Sequence, residues 1–473
     1  MNRIQERISN SAPAQKIASI FSLPIFWMLL GPPAIRTAVD DDRSGLSSLQ
    51  GDQDIWNYIR LVWWLLFGTI ALILIIRERR LLQQMLSEIG KPVAFVSLYL
   101  VGMFVSIVLS PVPMFTAANV VMMFLLIIAT VHMALKIYGG VLPISRVLQY
   151  LLWTAVFLLL FVSAIYLMFP QLVSTGVFGA RLRGEGFAYA PLLSVVSVYL
   201  GIHFFLLNKS RRRLLYVFPI LFGFYWLMLG QTRSAYLGMA VGAFMMFWAN
   251  GKLAKNVVNL TAVAVAGMIG LIGIGMLYGT SQRVTWYLDR NYERFIVRDY
   301  WALKDAEIQA KSLATLNGRT EAAAVLLNGV ASHPLGLGYI GGVRSYMSRP
   351  DVLSTLPDKA FIGAHNGYLE VLGGAGIFAL LGFVLWLGWV VMHAWRFKHV
   401  DALMVLGILF VLLVEGFFES EISLPFHQSA VLIWMMGGIV AASVAYDRRI
   451  RLRRPENFGP PRRFESEVVQ QYD

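Results

Sequence analysis

The chain has 473 residues, of which 57% are hydrophobic and only 14% charged, with a formal net charge of +13 and no cysteine. That balance excludes an ordinary soluble domain, which carries about 25% charge, and the missing cysteines exclude disulfides and thiolate chemistry. Apolar runs of about 18 or more residues recur along most of the length, the pattern of a polytopic membrane protein.

The N-terminus, "MNRIQERISNSAPAQKIASIFSLPIFWMLL", is basic and then apolar. Without a clear small-residue cleavage site it reads as an uncleaved first span. The predicted spans are 17–34, 58–76, 93–110, 115–135, 148–169, 187–207, 213–229, 234–250, 256–278, 367–392, 401–418 and 427–446. The fold class is therefore an all-α integral membrane protein of about twelve transmembrane helices. Its parts are helices one to nine (1–278), a large outer loop (279–366), helices ten to twelve (367–446) and a basic tail (447–473).

Basic residues fix orientation by collecting on the cytoplasmic side. With the N-terminus inside, the inner loops hold Arg77, Arg79 and Arg80, then Lys136 and Arg146, then Lys209 with Arg211, Arg212 and Arg213, then Lys252 and Lys255, then Arg396 and Lys398, and finally the tail. Every strong basic cluster falls inside, so both termini are expected in the cytoplasm. A nucleic-acid reading would need a basic soluble face, and none is present. The charge belongs to orientation and to contact with membrane lipid.

One outer loop is long. It contains "TEAAAVLLNGVASH", with helical periodicity and Asn317 or Thr320 as N-cap. The spaced glycines of "GLGYIG" follow no strand, so they read as a loop and not as a dinucleotide site. Asp40, Asp41 and Asp42 have no histidine or glutamate partner and read as solvated loop, and no metal site is expected.

The unusual polar residues converge on the outer side. Arg181 and Arg183, Arg233, Arg319 and the pair His365-Asn366 lie in outer loops or at outer span ends, and Glu415 and Glu419 share one helix face there. Ionisable groups at membrane depth are expensive and mark function. Several guanidinium forks suit phosphate oxygens. His365 opens a span, where the positive end of the helix favours a neutral, proton-accepting ring. Tyr368, one turn on, is placed to hydrogen-bond to a substrate or to orient that ring.

"AHNGYLEVLGGAG", "TRSAYLGMAVG", "NGRTEAAAVLLNGVASHPLGLGYIGG" and "RLRGEGFAYAP", in their order and sidedness, resemble the motifs of the O-antigen ligase and polymerase superfamily over about residues 170–390. Two positions depart from the family pattern: "TEAAAV" follows the Gly-Arg pair where tryptophan is frequent, and Ala379 replaces a later glycine. The resemblance implies a metal-independent, cofactor-free inverting glycosyltransferase of the bacterial inner membrane, active on the periplasmic face. Its donor would be a glycan on a polyprenyl (undecaprenyl) diphosphate, and its acceptor another glycan or lipid A–core. Carried over by motif, His365 is the base or acceptor clamp, with Asn366 and Tyr368 beside it. Arg181, Arg183, Arg233 and Arg319 hold the diphosphate, and Glu415 or Glu419 supports the site. A multi-span transporter or lipid-glycan flippase is the alternative from another class; it should place its polar groups near the midplane of symmetric halves.

Overall fold

The computed structural model describes residues 23–31, 55–168, 190–208, 210–230, 233–249, 319–353, 366–397 and 400–453. Among these residues every regular element is helical, as expected where apolar segments must satisfy their own backbone groups. The helices in chain order are α1 (Pro24–Leu29), α2 (Ile55–Arg77), α3 (Arg79–Ile89), α4 (Lys91–Leu109), α5 (Pro113–Tyr138), α6 (Ile144–Met168), α7 (Ala190–Leu207) and α8 (Val217–Gly230). They continue as α9 (Arg233–Ala249), α10 (Arg319–Ser332), α11 (Gly341–Met347), α12 (Pro350–Leu353), α13 (Gly367–Arg396), α14 (Val400–Phe418) and α15 (Gln428–Arg453).

Eight of these are long and apolar enough to cross a bilayer: α2, α4, α5, α6, α7, α13, α14 and α15. The chain is thus a multi-pass membrane protein. α8 and α9 are shorter, at 14 and 17 residues, and match the predicted stretches 213–229 and 234–250. α1 covers part of the predicted first span, and 256–278 lies outside the described residues. α15 runs on to Arg453, into the basic tail.

α3 was not anticipated. Its sequence, "RRLLQQMLSEI", is too short and too polar to span, yet Met85 and Ile89 are buried while Arg79, Arg80, Gln83 and Gln84 are exposed. That one-sided burial is the pattern of an interfacial amphipathic helix. The end of the bundle that holds α3 gathers the basic residues: Lys136 pairs with Glu78, Arg448 donates to the Glu88 carbonyl, and Arg449 lies 5.3 Å over the Tyr138 ring. His203 at the end of α7 meets Asp401 at the start of α14 at 2.9 Å.

Small residues set the helix pairs, because lipid tails are as apolar as leucine and close packing must drive association. α4 and α13 touch at Gly102–Ala379, and a Cβ on Gly382 would lie 2.4 Å from the Tyr99 nitrogen. Ala379, the departure from the family glycine, therefore sits in that seam. α9 and α14 pack antiparallel through Gly238 against Val411 and Gly242 against Gly407.

α13 is broken. Gly376 has φ 81° and ψ −178° inside the helix, leaving the carbonyls before it and the amides after it without helical partners. The segment "HPLGLGYI" closes the gap. Leu337 N–H donates to Gly373 O (2.7 Å), Gly338 N–H to Gly374 O (3.0 Å), and Ile377 N–H to Pro334 O (3.0 Å). The glycines are required by contact: a Cβ on Gly336 would lie 2.5 Å from Gly374 O, and one on Gly338 2.4 Å from Ser110 Oγ. The loop read from sequence is thus a splint for a broken span.

Candidate active site

The end of the bundle opposite the basic cluster carries Asn366, Tyr368, Glu415 and Glu419, four of the residues singled out in sequence. Asn366 precedes α13 in extended conformation, and its Oδ1 accepts from the N–H groups of Tyr368 and Leu369, both at 3.0 Å. This is an N-cap, for which asparagine is among the preferred residues. Its Nδ2 donates to the Phe417 carbonyl at 3.1 Å. One side chain therefore caps α13 and ties it to the last turn of α14.

Tyr368 points along the same seam. Its hydroxyl donates to Leu413 O at 3.3 Å, and its ring lies 4.8 Å from Phe417. Gly416 leaves room for both Ile422 and Tyr368, since a Cβ there would lie 2.3 Å from the Ile422 Cδ1. Asn366 and Tyr368 thus fix the start of α13, and the hydroxyl of Tyr368 is bonded to the protein scaffold.

Glu415 and Glu419 stack at the end of α14, the Glu419 N–H donating to Glu415 O at 2.8 Å. Their exposures are 7% and 8%, and Glu370, one turn into α13, is 2% exposed. Three carboxylates thus lie buried where α13, α14 and the loop before α15 meet. Buried carboxylates are rare without a specific setting.

His365, Arg181 and Arg183 lie outside the described residues. Arg233 and Arg319 are described in backbone alone, and each opens a helix, α9 and α10. The antiparallel contacts of α9 with α14, Gly238 to Val411 and Gly242 to Gly407, place Ser234 level with Glu415 when continued by one turn. The backbone of Arg233 therefore starts α9 at the height of the buried glutamates. α10 packs on α13 with Leu326 against Gly373. Thr320 is in the first turn of α10 and not at its cap, and Asn317 lies outside the described residues.

The structure adds residues that sequence reasoning missed. Tyr339, fully buried, plugs the end of the bundle: its N–H donates to Ser106 Oγ at 3.2 Å and its hydroxyl to the Ser423 carbonyl. Burial pushes that hydroxyl well above the usual phenol range, with Tyr99 and Glu370 adding to the effect. Ile340, which follows, has φ 61° and ψ −62° and closes a γ-turn from Gly341 N–H to Tyr339 O at 2.7 Å. A branched residue there costs on the order of 1–3 kcal/mol and persists because its neighbours hold it.

Arg60 near the start of α2 was also missed. Its guanidinium stacks 4.8 Å over Phe426, whose ring meets Trp64 at 5.3 Å, and the charge of Arg344 on α11 bears on it. The signal was available, since Arg60 is one more arginine at a span end that the charge pattern assigns to the outer side. Glu370 stood within "GAHNGYLEVLGG" itself. Among the described residues no group of three or more His, Cys, Asp or Glu is arranged to hold a metal ion.

Comparison with known proteins gives one family. A family model described as O-antigen ligase matches residues 218–386, from α8 to the part of α13 beyond its break. That stretch takes in Arg233, Arg319, the "HPLGLGYI" splint and the His365-Asn366 pair. No curated protein matches the chain. The described part of the matched stretch builds the broken helix, its splint and the capped start of α13, and over residues 218–386 the chain is similar to the O-antigen ligase family.

Proposed function

We propose that the protein is an inverting, metal-independent glycosyltransferase of the bacterial inner membrane. It moves a glycan from a polyprenyl diphosphate carrier to an acceptor sugar hydroxyl on the periplasmic face, as a surface-polysaccharide polymerase or ligase. The observation that supports this best is the gathering at one bundle end of the capped start of α13, the buried glutamates and the first residue of α9, within or beside the family match.

In this reading the leaving group is already activated. Arg181, Arg183, Arg233 and Arg319 neutralise charge as it develops on the diphosphate, the kind of electrostatic term that is often the largest in catalysis. His365 takes the acceptor proton, an effect of about 10²–10⁴ in rate. Asn366 and Tyr368 hold the helix start that carries His365, and Glu415 or Glu419 orients a neighbouring cation. Attack from the face opposite the diphosphate inverts the anomeric centre.

The test uses purified variants in lipid with a polyprenyl-diphosphate glycan and EDTA present throughout. His365→Ala should abolish product while still binding donor. Arg233→Ala should weaken donor binding by about 2–5 kcal/mol, and Arg233→Lys should recover it in part, because a point charge replaces a fork. Wild-type rates from His365→Ala would remove the catalytic role and favour a flippase.

A further inference from the structure

His132 is fully buried in α5, and neither of its ring nitrogens makes a hydrogen bond. Buried polar groups are normally bonded, and an ionisable side chain at membrane depth marks a use. Lys136 follows one turn later in the same helix, on the same face. Its ammonium group bonds Oε1 of Glu78, whereas Oε2 of that carboxylate is buried and makes no hydrogen bond. The charges of Lys136 and Glu78 both reach the His132 ring. Glu78 is the single residue between α2 and α3, so what holds its side chain holds the base of α3.

Other charged groups come from the helices packed against α5. Arg77, Arg79, Arg80 and, at the start of α4, Lys91 are exposed. From α15, Arg448 donates to the Glu88 carbonyl and Arg449 lies over the Tyr138 ring. Glu88 and Asp447 are half-buried, and the carboxylate whose charge reaches His132 is Glu78. α1 brings no charged side chain, and α11 packs on the other end of α5, Gly341 against Phe115.

Acid brings these three groups into competition. A protonated imidazole here has no contact with water, and a buried charge is strongly disfavoured unless an opposite charge meets it. Glu78 is the anion within reach. Lys136 is 25% exposed, and a lysine can turn its ammonium group outward to solvent or lipid headgroups while its stem stays packed. The buried ring therefore wins the carboxylate. The ring takes one proton from solvent, Glu78 stays ionised and Lys136 stays charged, so the change of partner needs no further reactant.

We propose that His132, Glu78 and Lys136 form an acid-sensitive latch at the base of α3: Lys136 holds Glu78 when the ring is neutral, and His132 takes it when the ring is protonated. The latch lies at the opposite end of the bundle from Asn366 and does not depend on the reaction proposed for that end. The experiment is a double-mutant cycle on the full chain in detergent, with Glu78→Gln, Lys136→Met and the two combined, at about pH 8 and about pH 5. Imidazole titrates between these values and ordinary carboxylates do not. Melting temperatures should show stabilising coupling between the two positions at the higher pH and its loss at the lower. In a His132→Gln background the coupling should persist at both. Coupling of equal size at both pH values with His132 present, coupling at neither, or its equal loss with His132→Gln overturns the proposal.

A second measurement does not require the His132→Gln protein to fold. The chain has no cysteine, so a spin label on Ser87→Cys, exposed on α3, reports on that helix alone. Its spectrum should change between the two pH values when Glu78 is present, and Glu78→Gln should make it the same at both. No change with Glu78 present, or the same change with Glu78→Gln, overturns the proposal.

Discussion

Asn366 makes three hydrogen bonds with one amide, two accepted from the start of α13 and one donated to Phe417 O. Aspartate preserves the first two and loses the third, whereas alanine loses all of them. Asn366→Ala should cost about 0.5–2 kcal/mol in cap stability and lower transfer further by freeing the helix that follows His365; Asn366→Asp should fall between. Thermal unfolding in detergent, read beside turnover, separates the two effects. Tyr368→Phe removes a single bond to Leu413 O at 3.3 Å, so about 0.5–1.5 kcal/mol of stability should go with kcat retained. A loss of kcat of about 10² or more at unchanged stability would place the hydroxyl in the proton transfer itself.

At the scale of elements, α13 matters most, and its seam with α4 offers a clean test. Gly382→Ala would push a Cβ to 2.4 Å from the Tyr99 nitrogen and 2.6 Å from Phe95 O. Both are backbone atoms that cannot swing aside, so about 1–3 kcal/mol of destabilisation is expected. Gly388→Ala, facing open space on the same helix, should leave the melting temperature unchanged or slightly raised. Equal effects at the two positions would refute this packing of α4 on α13.

The apolar helices were legible because the bilayer imposes one rule on every apolar run, eight of those described being long enough to cross, and Asn366, Glu415 and Glu419 share one bundle end as their order along the chain implied. The break at Gly376 was not legible. In "GGAGIF" a glycine needed for positive φ looks the same as one needed for close packing, and the partners of the broken turn, Pro334, Leu337 and Gly338, lie some forty residues earlier. Tyr339 was hidden for the same reason, since nothing local marks a loop tyrosine as the plug of a helical bundle. α3 was missed because a search for spans passes over an 11-residue helix whose apolar face is narrow.

For the whole molecule the decisive quantity is which end faces out. The chain lacks cysteine, and Ser87 on α3 and Ser332 at the end of α10 are both exposed. A membrane-impermeant maleimide should label Ser332→Cys in intact spheroplasts and Ser87→Cys only after the inner membrane is opened. The reverse pattern would invert the molecule and move the candidate site to the cytoplasm. The break in α13 bears on the same question through depth. Residues 377–396 form an unbroken rod beyond Gly376, on the order of 30 Å long at about 1.5 Å per residue, which equals the hydrocarbon thickness of a typical bilayer. The nine residues before the break exceed that length, a short mast with Asn366 at its tip. A membrane that thickens by a few ångströms would draw that mast toward the oil, and one that thins would lift it clear. The splinted break thus acts as a waterline mark, setting how far the capped start of α13 stands above the hydrocarbon.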